Sequence, residues 1–203
     1  MKNLFKILIV AIAFLCLSFV KNENKVINVV IDSGHGGHDF GATIDDLNEK
    51  NLINEITEKI KKLHSDSEVV FHYTRTGDHF MDLKDRASFI NYIKPDLAIS
   101  LHVNSNKNTD ASGFEIFVSD KNEQFENSKA LAEKLATKFS KNSPLNMRGI
   151  KTAPFMVLKN SECPSMVVEL GFISNENDRN YLTSENGQTQ IAQTILDFAS
   201  DLK

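Results

Sequence analysis

Val29-Val-Ile-Asp-Ser-Gly-His-Gly-Gly-His-Asp39 is the stretch that indicates most about how this chain folds. Its β-branched apolar residues run into a polar, glycine-rich loop, which is typical of a buried strand that ends at a sheet edge. Leu97-Ala-Ile-Ser-Leu-His-Val-Asn104 has the same pattern. Open α/β sheets collect their site residues at the carboxyl ends of the strands. His35 and His102 are therefore predicted to lie on neighbouring strand ends, where two imidazoles can share one metal ion.

Strand and helix patterns alternate through the rest of the chain. Apolar runs predict strands at 25–32, 68–74, 97–103, 113–118 and 165–170. Helical spacing predicts helices at 48–64, 83–93, 124–140, shortly after 174, and at 189–202. Residues 141–159 are predicted to be irregular because two prolines and a glycine interrupt them. The pattern indicates one three-layer α/β domain over residues 25–203, with a mostly parallel twisted sheet and helices on both faces.

The first 24 residues differ in composition from the rest. Lys2 and Lys6 lie at the beginning of the chain, and the fourteen residues that follow, at 7–20, carry no charge. This pattern is typical of a secretory signal peptide. The run is short for a spanning helix, which needs roughly 20 apolar residues. The alternative to a cleaved signal peptide is a retained signal anchor. We expect the protein to be exported, with membrane contact only through this leader if it is not cleaved.

Composition and charge narrow the function classes. The chain has 203 residues, of which 41% are hydrophobic and 25% charged, as in an ordinary globular protein. Its formal net charge is −4, and loss of residues 1–20 removes two lysines and no acids, so the remaining charge is −6. An acidic domain argues against a nucleic-acid partner, since phosphate binding needs clustered basic residues. Only Cys163 remains beyond the leader, so no internal disulfide is expected.

Two carboxylates add chemistry to the histidine pair. Glu169 interrupts an otherwise apolar run at 166–173, and its desolvation is expected to raise its pKa into the range useful for proton transfer. The alternative is a buried structural glutamate paired with a basic residue. Glu49 opens the first predicted helix, where it could also simply complement the helix dipole. Two imidazoles with one carboxylate are a known ligand set for catalytic zinc. His38, in the same loop as His35, is an alternative ligand.

Seven ordered segments carry a resemblance to a known family. The chain resembles the zinc-dependent N-acetylmuramoyl-L-alanine amidases of bacterial cell walls over residues 26–203. The segments are Val30–Ala42, Glu49–Lys50, Thr74–Arg75, Ser100–Asn104, Ser112–Glu115, Arg148–Gly149 and Val168–Asn175. The resemblance implies one zinc ion held by His35, Glu49 and His102, with Glu169 as the catalytic glutamate.

The resemblance also implies a substrate and a location. The substrate would be peptidoglycan, cleaved between the lactyl group of N-acetylmuramic acid and L-alanine during wall remodelling or daughter-cell separation. The location would be the periplasm or cell envelope, with an unknown targeting partner. Arg148, Lys151 and Asn104 are expected to contact substrate, the two basic residues by anchoring acidic groups of the stem peptide.

Two alternatives stay open at this point. One is a different zinc hydrolase on the same scaffold, such as a carboxypeptidase or a sugar deacetylase. The other is a non-catalytic wall-binding or activator protein that has kept the fold. Arg75, Asp78 and Arg86 are interpreted as a structural ion-pair group, although Arg75 could instead meet a substrate carboxylate.

Overall fold

A computed structural model of the chain describes residues 25–203, and the predicted leader at 1–24 lies outside the described residues. In chain order the elements are β1 (Ile27–Ser33), β2 (Thr43–Ile44), β3 (Leu47–Asn48), α1 (Glu49–Leu63), β4 (Val69–Tyr73), α2 (Leu83–Ile93), β5 (Leu97–Asn104), β6 (Phe114–Val118), α3 (Phe125–Asn142), β7 (Met147–Thr152), α4 (Met156–Asn160), β8 (Ser165–Phe172), α5 (Glu176–Thr183) and α6 (Glu185–Ser200). None of the helices in the described part is long and apolar enough to cross a membrane.

The central sheet has six strands in the order β4-β1-β5-β8-β6-β7. Four of the neighbouring pairs are parallel, and β6 is antiparallel to β8. The predicted single α/β domain with a mostly parallel sheet is confirmed. The order places β1, β5 and β8 side by side, so the segments that carry His35, His102 and Glu169 are neighbours although they are far apart in sequence.

The two faces of the sheet are covered unequally. The larger apolar cluster joins the sheet to α1, α3 and α6, and it takes Leu97, Ile99 and Leu101 from β5. A much smaller cluster joins the sheet to α2 and α4, and it takes Ala98 from β5. Side chains alternate along a strand, so Ser100 and His102 share the less covered face with Ala98. That face has room for a site.

The prediction that residues 141–159 are irregular is wrong. Residues 141–159 contain the edge strand β7 and the single-turn helix α4. In β7, exposed and half-buried residues follow each other without a two-residue alternation, so no strand pattern is visible in the sequence. The last helix begins at Glu185, four residues before its predicted start, because Ser184 caps it by accepting a hydrogen bond from the Gly187 backbone N–H at 3.0 Å.

Candidate active site

His35 lies in the loop that follows β1, and its backbone is strained. Its φ of +58° is in the left-handed region, which usually costs a non-glycine residue about 1–3 kcal/mol. The preceding Gly34 packs against β5 so closely that a Cβ would lie 2.6 Å from Cε1 of His102. The Nδ1 atom of His35 is 2.8 Å from Oδ2 of Asp39. This contact fixes the ring and leaves Nε2 facing inward.

Glu49 is the first residue of α1, and backbone groups hold both of its carboxylate oxygens. Oε2 accepts a hydrogen bond from the Ala42 N–H at 2.8 Å, and Oε1 accepts one from the Val103 N–H at 2.9 Å. The same oxygens face the two imidazoles: Oε2 is 3.0 Å from Nε2 of His35, and Oε1 is 2.9 Å from Nδ1 of His102. Glu49 is only 4% exposed, so this geometry is well enclosed.

The structure therefore brings together the three predicted metal ligands. One ligand atom each from His35, Glu49 and His102 lies within 4.8 Å of the others. The two imidazole rings meet edge to face, with their centroids 5.0 Å apart. The alternative ligand His38 is not part of this group, and its ring instead packs on Phe80 at a centroid distance of 4.2 Å. Two imidazoles and a carboxylate suit Zn²⁺ chemically.

The electrostatics of the group favour an ionised carboxylate. Burial acts to raise the pKa of Glu49, but hydrogen bonds from His102 and His35 outweigh it and the pKa is strongly lowered. Burial acts to lower the pKa of each imidazole, and the Glu49 carboxylate reverses this, so the pKa values of His35 and His102 are raised. A buried anionic oxygen between two imidazoles attracts a cation.

Glu169 lies inside β8, in register with His102 on β5. The sequence placed it at a strand end, but β8 continues to Phe172. Burial raises the pKa of Glu169 to about 7; the charge of His102 opposes this shift, and the Glu49 and Glu115 carboxylates add to it. Its Oε2 atom is buried and has no hydrogen-bond partner among the residues that the structure describes. The expected desolvation is confirmed.

Glu115 is a second buried carboxylate that the sequence reasoning did not select. It lies on β6, in register with Glu169, and is 3% exposed. Its Oε1 accepts a hydrogen bond from Nδ2 of Asn104 at 3.0 Å. Its Oε2 accepts hydrogen bonds from Nε of Arg148 at 3.0 Å and Nζ of Lys151 at 2.6 Å. The three residues predicted to contact substrate thus converge on one side chain. A lone glutamate in the apolar strand at 114–118 was the available signal.

Two buried arginines hold the backbone that carries His35. The Ser33 carbonyl accepts hydrogen bonds from Nε of Arg75 at 3.1 Å and Nη1 of Arg86 at 2.6 Å. Arg75 Nη2 donates to the Gly34 carbonyl at 2.9 Å, and Arg86 Nη2 donates to the His35 carbonyl at 2.7 Å. All three successive carbonyls are therefore bound by guanidinium groups.

The ion pairs of these arginines differ from the interpretation made from sequence. Arg86 pairs with Asp32 at 2.7 Å. Asp78 pairs instead with Lys50 at 2.8 Å. Arg75 is 2% exposed, and its guanidinium group donates hydrogen bonds mainly to backbone carbonyls. The three side chains therefore do not form one ion-pair group.

A cavity of about 710 Å³ opens beside the candidate metal ligands, on the less covered face of the sheet. His35, His102 and Glu169 line one part of it, and Phe80, Leu83 and Phe155 are among the apolar residues that line the rest. These three apolar side chains are themselves 42–53% exposed. The candidate metal ligands and Glu169 therefore face an open cleft of the size typical of ligand-binding sites.

An α/β domain with two imidazoles and a carboxylate beside a half-buried glutamate has the arrangement typical of metal-dependent hydrolases. Residues 29–200 match the family model described as N-acetylmuramoyl-L-alanine amidase, and the chain belongs to that family.

Relatives and solved structures agree with this assignment. The chain is 34% identical over 177 residues to N-acetylmuramoyl-L-alanine amidase LytC of Bacillus subtilis, an alignment that covers 86% of this chain but only 36% of LytC. It is also 36% identical over 172 residues to the uncharacterized protein YqiI of the same organism, covering 83% of this chain and 81% of YqiI. The structure of an N-acetylmuramoyl-L-alanine amidase from Clostridium difficile 630 superposes with a TM-score of 0.82 at 30% identity, covering 87% of this chain and 96% of that one.

Proposed function

We propose that this protein hydrolyses the amide bond between the lactyl group of N-acetylmuramic acid and the L-alanine of the peptidoglycan stem peptide, with one zinc ion bound by His35, Glu49 and His102. The observation that carries the proposal is the cluster of these three ligand atoms within 4.8 Å, beside the unpartnered Oε2 of Glu169, in a chain of this amidase family.

Neighbouring groups hold two of the three proposed ligands in position. Asp39 orients the His35 ring, and backbone N–H groups orient the Glu49 carboxylate. Such contacts fix ligand direction and raise metal affinity. When bound, zinc would supply a Lewis acid that polarises the amide carbonyl and lowers the pKa of a coordinated water.

Glu169 is the proposed general base and acid. Its pKa of about 7 is suited to accept a proton from the attacking water and then to donate one to the departing amine of L-alanine. The orphaned Oε2 is the atom available for this transfer. Glu169 lies next to the ligand group because it is the register partner of His102 on the adjacent strand.

The proposal also covers how the substrate is recognised and where in the cell the protein acts. Asn104, Arg148 and Lys151 would lie on the substrate side, since they surround Glu115 next to Glu169. Relatives named as cell-wall amidases support a role outside the cytoplasm, in the periplasm or cell envelope. The predicted leader at 1–24 would provide export, and an unknown partner could provide targeting.

Digestion of purified peptidoglycan tests this function. The wild-type protein is expected to release new L-alanine N-termini and muramyl lactyl carboxylates, to stop when zinc is chelated, and to recover when zinc is restored. Release of D-alanine would indicate a carboxypeptidase, and free amino groups on sugars would indicate a deacetylase. Absence of all three products with zinc bound would favour a non-catalytic wall protein.

A further inference from the structure

The residues around Glu115 form a cluster with a net positive charge. The Glu115 cluster is defined as Glu115, Asn104, Arg148 and Lys151. Both cations bind the same carboxylate oxygen, Oε2 of Glu115, so one negative charge faces two positive ones. The side chain of Glu115 is 5% exposed, whereas those of Arg148 and Lys151 are 34% and 43% exposed. The anion is buried and the excess positive charge faces solvent.

The cations keep donors for a second anion. Nζ of Lys151 carries three N–H donors, and within residues 25–203 its one hydrogen bond is to Glu115. Arg148 uses Nε for Glu115 and Nη1 for the Ser112 carbonyl, and its Nη2 has no hydrogen bond to any described residue. Its guanidinium group also lies 4.8 Å from the centre of the Phe172 ring, which fixes its plane.

The Glu115 cluster lies next to the reacting groups. Glu115 and Glu169 are antiparallel register partners, so their Cβ atoms are about 4.5–5.5 Å apart on the same face. Two contacts connect the cluster to the cleft: Nζ of Lys151 is 5.7 Å from the Phe117 ring, and Phe117 packs on Phe155, which lines the cavity. An anion bound here would therefore be within reach of the scissile amide.

We propose that the Glu115 cluster is a subsite for a carboxylate of the stem peptide, and that it selects peptides whose residue after L-alanine has a free carboxylate. This inference rests on the proposed amidase function. An extended peptide advances about 3.3–3.6 Å per residue, so the carboxylate of that second residue reaches about one strand spacing beyond the cleaved bond. Glu115 is a positioning residue in this scheme, because it holds both cations in the directions that the carboxylate needs.

A purely structural role explains the cluster less well. One cation would be enough to pair with a buried carboxylate, and the second is placed close to a like charge. The side chain of Lys151 is 43% exposed, so solvent screens its pairing with Glu115 and this second pair adds little to the stability of the fold. A bound carboxylate would relieve the repulsion between Arg148 and Lys151, and two convergent cationic donors suit carboxylate geometry.

The test uses two soluble muramyl peptides that differ in one group. Both carry N-acetylmuramic acid and L-alanine, and the next residue has a side-chain carboxylate in one and the corresponding carboxamide in the other. We expect the wild-type protein to have a kcat/KM about tenfold higher for the carboxylate peptide, which corresponds to about 1.4 kcal/mol. Lys151→Met is expected to bring the ratio close to one, and Lys151→Arg is expected to keep most of it. The ratio should also fall as ionic strength rises.

Lys134→Met is the matched control, because it removes the same charge from α3 on the opposite side of the sheet and should keep the wild-type ratio. A wild-type ratio near one, or an unchanged ratio in Lys151→Met, would overturn the subsite. Binding of both peptides to zinc-loaded Glu169→Gln, measured by calorimetry, separates the two proposals. A carboxylate preference in binding without cleavage by the wild type would support the subsite and refute the amidase function.

Discussion

Arg86 offers a direct way to test how the loop that carries His35 is held. Replacing it with methionine removes the ion pair with Asp32, as well as hydrogen bonds to the carbonyls of Ser33, His35 and Met81. Asp32 would stay 1% exposed, with only hydroxyl donors as partners. Loss of one partner of a buried ion pair costs about 3–5 kcal/mol. For a domain of this size, that corresponds to a fall in Tm of about 6–20 °C.

The assay has two readouts, both made with purified Arg86→Met. Thermal and denaturant unfolding in the presence of a chelator measure stability. Competition with a chelator of known affinity measures zinc binding. The zinc affinity should fall roughly 10- to 100-fold, because the backbone that carries the proposed ligand His35 loses its hydrogen bonds from Arg86. The control is Ile195→Ala, a fully buried position on α6 away from the loop. It should lose comparable stability and keep its zinc affinity.

A second variant separates charge from packing. Asp32→Asn combined with Arg86→Met removes the stranded carboxylate and should recover part of the lost stability, although not the zinc affinity. The reasoning would be refuted if Arg86→Met were as stable as the wild type, or if its zinc affinity fell no more than that of Ile195→Ala.

Three further outcomes are expected. Asp39→Asn should weaken zinc binding roughly 10- to 100-fold by chelator competition, since the Nδ1 contact that orients His35 is altered; an unchanged affinity would show that the contact is incidental. Glu169→Gln should keep its zinc and lose about 10²- to 10⁴-fold in turnover of peptidoglycan, and full activity would rule out its role in proton transfer. Burial of Asp32 acts to raise its pKa, but the Arg86 charge and the hydrogen bonds of Ser100, Arg86 and Thr74 outweigh it and lower the pKa. Because the folded value is depressed, the stabilisation is present above the unfolded value of about 3.8 and is lost as pH falls through the lower folded value. Asp32→Asn should therefore flatten the acid limb of the stability curve below pH 4, and a parallel curve would contradict this.

Helices and strands with a clear pattern of apolar residues could be predicted from the sequence, and those without such a pattern could not. The helix α1 repeats apolar residues on one face, and β1 and β5 are continuous apolar runs. By contrast, β7 has no alternation because it is an exposed edge strand. The antiparallel direction of β6 depends on a crossover that local sequence does not encode.

The candidate site was predictable only in part, for a related reason. His35, His102 and Glu169 stand out locally because each interrupts or ends an apolar run. The role of Arg86 could not be read this way, since its partners are backbone carbonyls and an aspartate 54 residues away in the chain. Glu115 carries the same local signal as Glu169, but its three partners come from β5 and β7, whose positions beside it depend on the sheet order.

The position of β1 has a consequence for how the protein would work if the leader were retained in the membrane. Only Lys25 and Val26 separate residue 24 from the start of β1 at Ile27, and the loop with His35 follows the other end of this strand. Seven strand residues span about 23 Å. An anchored molecule would thus have one strand, about 23 Å long, between the start of the described domain and the loop that carries His35. Within the described residues, the distance from the start of the domain to this loop is therefore set by the length of one strand.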